Sequence, residues 1–381
     1  MLARPSVSAR RLLDDLNGLA AIGGRPDGGV DRVAGSAEDR RARRWLAERM
    51  QARGLVSRTD DVGNVFGHTP NVADRRLLVG SHTDTVPAGG RLDGAYGVIA
   101  ALEVLTTLHE HGHPAADALE IVSFWDEEGA QPESSGGMVG STALCADPHL
   151  AEITGFVELH IEQGPRMELA GQELCVVDGI VGVDRHLIRA VGETNHAGTT
   201  PFVLRRDAGR AMVRAAAVAH DLMRSVSDTL VGNIGSFTLD PGAPNVIPGA
   251  AQLVLELRSP REDVLTRCAE LVLEHTRAIA AEEGCTVEHR MLSHKPVVAF
   301  NESMRTLLEK VCRSTGRPAG SLYSYAGHDA GVISAHVPTA MVFVPSTRGV
   351  SHSPYEHTPD RLLTQGAQVL LEAVIAHHDS Y

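Results

Sequence analysis

Between residues 184 and 292 the chain spells a short cycle of elements that few folds accommodate. DRHLIRAVG reads as a strand and RRDAGRAMVRAAAVAHDLMRS as an Ala-rich helix. VGNIGSFTL and AQLVLELRS read as two more strands, the second alternating through Leu253, Leu255 and Leu257. REDVLTRCAELVLEHTRAIAAEEG makes a long helix with Gly284 past its end, and TVEHRML closes the cycle as a strand. That order, βαββαβ, lets two helices cover one face of a four-stranded sheet. On both sides the pattern is different. Helices are expected at 11–20 and 36–53, the second with a Ser36 cap and a stop at Gly54. Strand-like LVSRTDD, NVFGHT and RLLVGSH follow, then a helical stripe through Val98, Leu102, Leu105 and Leu108. LEIVSFWDEEG and GFVELHIEQG are apolar runs broken by polar residues, as buried strands ending at a functional edge would be. A helix at 301–315, a strand at 339–345 and a helix from Pro359 complete the chain. Strands alternating with helices give an α/β layer architecture. The expectation is therefore a larger α/β domain over 1–183 and 294–381, interrupted by a smaller domain over 184–293, with hinges near 180–184 and 293–297.

The length of 381 residues agrees with two domains. Thirty-five basic against 48 acidic residues give a net charge of −13, which excludes a general nucleic-acid binder. No 18-residue apolar run suggests a membrane span, and the first 20 residues carry no apolar signal core. Cys145, Cys175, Cys268, Cys285 and Cys312 form no CxxC pair, so a reduced, cytoplasmic protein is expected. Neither GxGxxG nor GxxxxGK[ST] occurs, so nucleotide chemistry is not indicated. The composition departs from the ordinary in its 19 histidines.

Four segments place acids and histidines where expected strands end: GSHTDTVPAGGRLDGAYGV (80–98), FWDEEG (124–129), VELHIEQG (157–164) and GVSHSPYEHT (349–358). Ligands in open α/β sheets bind at the carboxyl ends of strands, where residues distant in sequence meet. His82 and Asp93 are separated by a Pro- and Gly-rich loop able to turn the aspartate back. Asp84, two residues after His82, could accept the other imidazole N–H. Asp126, Glu127 and Glu128 close an apolar strand, and His160 and His352 sit in the remaining segments. Each alone has an ordinary structural explanation. Together, three histidines, an aspartate and a glutamate make two metal sites if the aspartate is shared. Two dications ~4 Å apart repel by roughly 16 kcal/mol at an effective dielectric of ~20, so a carboxylate between them is needed. Paired metals at that spacing are a hydrolytic device. HEHGHP (109–114) also alternates histidines but lacks nearby acids, and is not expected to bind metal.

With these motifs in order, joined by NHAGTTP, PNVIPG, AGHDA and MVFVPS, the chain resembles the dinuclear-zinc metallopeptidases of the aminoacylase and carboxypeptidase-G type. More narrowly it resembles the amidase/hydantoinase/carbamoylase branch, which contains N-carbamoyl-L-amino acid hydrolases, allantoate amidohydrolases and β-ureidopropionases. ELHIEQGP points to that branch, because other members carry a carboxylate where His160 stands. The resemblance implies a zinc-peptidase-like catalytic domain with an inserted ferredoxin-like domain that serves dimerisation and acts as a lid. It implies one divalent metal held by His82, Asp93 and His160 and another by Asp93, Glu128 and His352, with Glu127 as general base. Zinc is the expected metal, and manganese, cobalt or nickel also suit N/O ligands. Gln163 would bond the ureido or amide group, and His328 would line the pocket. His196 would polarise the scissile carbonyl. Asn245 and Arg258 resemble the pair that clamps the substrate carboxylate, a task suited to the arginine fork. His196 resembles a residue that reaches into a partner subunit's site, so a homodimer is implied, with Asn245 and Arg258 also candidates to act across the interface.

The implied reaction is hydrolysis of the linear C–N bond of an N-carbamoyl-L-amino-acid-like carboxylate, releasing amino acid, ammonia and carbon dioxide. Alternatives are an allantoate-type ureide, or an aminoacylase or dipeptidase acting on ordinary amides. A non-catalytic, metal-containing ligand-binding protein is the reading from a different class, and the intact Glu127 beside Glu128 argues against it. Two departures bear on specificity. AQPESSGGMV (130–139) stands where the branch carries an Arg-Phe pair, and Tyr355 follows SHSP.

Overall fold

A computed structural model describes residues 5–131, 136–317 and 319–380. Within it the chain forms two compact units, Met1–Gly179 with Ala299–Tyr381, and Ile180–Val298. The seams fall a few residues outside 184 and 293, because the first and last strands of the inserted unit, Gly182–Val191 and Thr286–Lys295, extend past their most strongly patterned residues.

The larger unit is built on a nine-stranded mixed sheet. Its centre is four parallel strands in the spatial order Leu119–Phe124, Arg76–His82, Ile153–Ile161 and Thr339–Val344. Three of the four are buried along their whole length and the fourth at all but one position, as expected for strands covered on both faces. Antiparallel strands flank this group on both sides. Helix Ala95–Glu110 is mostly apolar and is buried from Ala95 to Leu108, its Glu103 paired with Arg11. It packs on the sheet beside Asp360–His378, the terminal helix. Helix Ala37–Ala52 starts where expected, with Ser36 Oγ accepting the N–H of Asp39. Among the described residues, 132–135 of the divergent segment are not included.

The inserted unit has four antiparallel strands in the order Thr286–Lys295, Gly182–Val191, Ala250–Ser259, Val231–Asp240. Helices Ala208–Ser225 and Glu262–Glu282 pack on it, with Leu253, Leu255 and Leu257 in a second, separate core. This is the ferredoxin-like arrangement.

Candidate metal centre

The four parallel strands of the larger unit all end at one edge, and each delivers a piece of the site there. His82 is the last residue of its strand, and His160 the last but one of the neighbouring strand. Trp125, Asp126, Glu127 and Glu128 leave the strand ending at Phe124, and the segment after Val344 leads to Ser351 and His352. Asp93 lies just before helix Ala95–Glu110. Gly94 between them has φ 61°, and a Cβ there would come within 2.3 Å of the His82 ring. Both the turn and the close approach require glycine.

Asp93 is the centre of the group. Its Oδ1 lies 3.1 Å from His160 Nε2 and 3.8 Å from His82 Nε2, while its Oδ2 lies 3.1 Å from His352 Nε2. Glu128 Oε2 is 3.6 Å from the same His352 nitrogen, and Glu127 Oε2 is 3.7 Å from His82 Nε2. The potential ligand atoms of His82, Asp93 and His160 all lie within 4.8 Å of one another, as do those of Asp93, Glu128 and His352. The two carboxylate oxygens of Asp93 thus face two different sets.

Three observations test whether cations fit. His82 Nδ1 lies 3.1 Å from the Asp84 carbonyl oxygen and His160 Nδ1 lies 2.8 Å from the Ile161 carbonyl oxygen. Each carbonyl is placed to take the Nδ1 proton, which leaves Nε2 as the inward nitrogen, as in a metal ligand; in His160 that Nε2 also accepts the N–H of Gly94 at 3.0 Å. Glu128 Oε1 and Gln163 Oε1 are buried without a hydrogen-bond partner. Finally, the charges are unbalanced. Burial, with help from Asp93, pushes Glu128 up to about 7 despite His82 and His352. Burial and the nearby Asp329, Glu128 and Asp84 push Glu127 well above the usual carboxylate range, against the pull of His82. Bonding to Asp93 draws His352 up to about 9. Burial disfavours the Asp93 charge, but His160, His352 and His82 outweigh it and hold the carboxyl well down. Carboxylates crowded at a buried edge are what bound cations relieve. The N/O donor set fits divalent metal ions.

The remaining expected residues fall in several places. The Asp84 carboxylate accepts the backbone N–H groups of Glu127 (3.4 Å) and Glu128 (3.2 Å) and stands 3.6 Å from His82 Nδ1. It is the Asp84 carbonyl that lies nearer the imidazole, so the carboxylate chiefly holds the acidic loop. Gln163, at φ 60°, donates from Nε2 to Asp93 Oδ2 at 2.8 Å. His328 is only 2% exposed, lies 2.8 Å from Ser324 Oγ and packs edge-on against His160 at 4.7 Å. It packs against the His160 ring from the buried side. The histidines of HEHGHP make local backbone contacts, His111 Nδ1 with Thr107 O and His113 Nδ1 with Ala115 N–H.

His196, Asn245 and Arg258 belong to the inserted unit. His196 is exposed, and its Nδ1 accepts N–H bonds from Gly198 (3.0 Å) and Thr199 (3.2 Å). The proton consequently sits on Nε2, which becomes an outward donor. Asn245 lies beside it, its carbonyl accepting the N–H of Ala197, where Val246 pairs with His196. Arg258 is elsewhere. It pairs in register with Val183, whereas Ala250 pairs with Val191, and those eight steps span about 26 Å of strand. Asn245 lies beyond Ala250. Asn245 and Arg258 therefore occupy opposite ends of the sheet, because the antiparallel ladder keeps the strand between them extended. Arg258 is bonded by Nε to Glu256 Oε1 at 2.8 Å.

The sequence pattern does not single out Glu356, although it stands four residues after His352 in the same motif. It is 5% exposed and bonds the backbone of Asp93.

The chain is similar to proteins of known kind over nearly its full length. The model of peptidase family M20/M25/M40 matches residues 78–376. The chain is 34% identical to an N-carbamoyl-L-amino acid amidohydrolase of Geobacillus stearothermophilus, over 97% of this chain and 98% of that one. It is 33% identical to an allantoate amidohydrolase of Bacillus subtilis, over 95% and 96%. A solved hydantoinase/carbamoylase family amidase from Burkholderia ambifaria superposes with a TM-score of 0.87 at 31% identity, covering 97% of this chain and 98% of that chain. With the metal-ligand geometry and the sheet edge that carries it, these likenesses place the chain in peptidase family M20/M25/M40.

Proposed function

We propose that this protein is a metal-dependent amidohydrolase that cleaves the linear ureido C–N bond of an N-carbamoyl-L-amino-acid-like substrate. The products are the amino acid, ammonia and carbon dioxide. The observation that carries this reading is the division of Asp93 between two ligand sets, with Glu127 beside them. His82, Asp93 and His160 would hold one divalent ion, and Asp93, Glu128 and His352 the other. Zinc is the favoured metal, with manganese, cobalt and nickel compatible with the same donors. When bound, such a pair polarises the scissile carbonyl and acidifies the attacking water. Glu127 takes the proton of that water and returns it to the leaving amine. Burial and the neighbouring carboxylates raise its pKa above the usual carboxylate range, against the pull of His82, a setting that suits a group that accepts and returns a proton. Asp84 holds the Glu127–Glu128 backbone in place. Gln163, already turned to the centre, orients the ureido group, and His196 offers Nε2–H to the carbonyl oxygen. Arg258 and Asn245 bind the substrate carboxylate. Because they stand at opposite ends of their sheet, a site using both would draw them from two copies, which supports a homodimer as the active form.

The similarity to an allantoate amidohydrolase, almost equal in identity, favours a ureide acid as the second substrate reading. A panel of N-carbamoyl, N-formyl and N-acyl amino acids plus allantoate, assayed with zinc, manganese, cobalt and nickel, separates the two. Ammonia release from an N-carbamoyl amino acid is expected to dominate. Glu127→Gln should retain metal yet lose about 10²–10⁴ in kcat. Near wild-type turnover in that variant would remove Glu127 from the mechanism.

A further inference from the structure

The backbone that carries Asp93 is pinned by one distant side chain. Glu356 Oε1 accepts the N–H groups of Leu92 (2.8 Å) and Asp93 (3.0 Å). Its Oε2 accepts the hydroxyl of Ser351 at 2.7 Å, and Ser351 precedes His352. The Ser351 hydroxyl oxygen also stands 3.4 Å from Asp93 Oδ2. One carboxylate therefore joins the loop of the shared ligand to the loop of a ligand near the other end of the chain. Both its oxygens are engaged, so it is not itself a free donor for a cation. The fold makes room for it: a Cβ on Gly90 would lie 2.1 Å from its carboxyl carbon and Oε1.

We infer that Glu356 is a positioning residue of the metal centre, holding Asp93 and His352 at the separation both ligand sets require, and that Gly90 is glycine to admit it. The inference rests on the metal-centre reading above. Outer partners that orient ligands are worth ~10–100-fold in metal affinity. The carboxylate acts here through backbone N–H groups, which set where the Asp93 side chain leaves the main chain. Without it the loop through Leu92 and Asp93 loses two charge-assisted bonds, and His352 loses its link to that loop.

The test titrates metal-free protein with zinc or manganese alone by calorimetry, and records the melting temperature of each metal-free variant. Glu356→Ala is expected to lower affinity by ~10–100-fold. Gly90→Ala, which removes no polar group, should do the same by displacing the carboxylate. Glu356→Gln keeps an acceptor for both N–H groups and should recover wild-type affinity to within a few-fold. Wild-type affinity in both alanine variants, whatever their melting temperatures, overturns the inference. If Glu356→Ala does not fold, Ser351→Ala carries the test. It should weaken one of the two equivalents, and unchanged affinity for both would count against the link. Failure of the wild-type protein to bind two equivalents would instead strike at the metal-centre reading.

Discussion

At the residue scale the site is set by which atom of each side chain faces inward. Backbone carbonyls take the Nδ1 protons of His82 and His160, leaving both Nε2 atoms toward Asp93. The identities of these histidines were legible in the motifs, but their tautomers were not, because each depends on a carbonyl oriented by the sheet. His328 shows the opposite case. Its motif marks it for the pocket, and the fold buries it beneath His160 and beside Phe343. Gly94 is the residue on which this geometry is most sensitive. Gly94→Ala must place a Cβ on a residue held at φ 61°, a sparsely populated conformation costing about 1–3 kcal/mol, and must also push the His82 ring aside. Metal content after dialysis should fall at least ~10-fold relative to wild type, measured by elemental analysis. Full metal occupancy would show that the loop absorbs the methyl group.

At the scale of elements, the parallel strands serve two purposes at their two ends. Their carboxyl ends carry the ligands, and their amino ends are stitched by charge. Arg76, at the start of its strand, bonds Glu120 at 2.9 Å and Glu152 at 2.7 Å, while His149 stands 2.7 Å from Glu120. Burial disfavours the Glu120 charge, but His149 and Arg76 outweigh it, and its pKa is lowered below 4.5. A carboxyl with a lowered folded pKa contributes stability above its unfolded value and loses it as pH falls through the folded one. The larger unit should therefore lose stability below about pH 4.5 in part through Glu120. Glu120→Gln is expected to cost about 2 kcal/mol at pH 7 and progressively less below pH 4.5. Denaturant unfolding at several pH values measures this, and a penalty independent of pH would dissociate Glu120 from the acid limb.

At the scale of the whole molecule, the inserted unit carries the three residues proposed above to bind substrate. His196 and Asn245 lie together at one end of its sheet and Arg258 at the other. The proposed homodimer, in which His196 completes a neighbouring copy's centre, makes a definite prediction. Glu127→Gln and His196→Ala should each be nearly inactive alone. Refolded or exchanged together, they should regain activity, since mixed dimers contain one centre with both residues intact. No recovery, with exchange confirmed by native mass spectrometry, would place His196 in the site of its own chain.

The sequence alone determined the order of elements, the βαββαβ insertion and the identity of the acids and histidines at the strand ends. Those properties are local: periodicities of two and 3.6 residues, caps and turn glycines act over a few neighbouring positions. The resemblance already implied that Asp93 is shared; only the tertiary structure decided which of its oxygens faces which set, that Glu356 braces its loop, and that Asn245 and Arg258 stand apart. Each of these depends on strand register and loop closure between segments as much as 264 residues apart, as between Leu92 and Glu356. Contacts of that range are set by the packing of the whole sheet, and no local pattern encodes them.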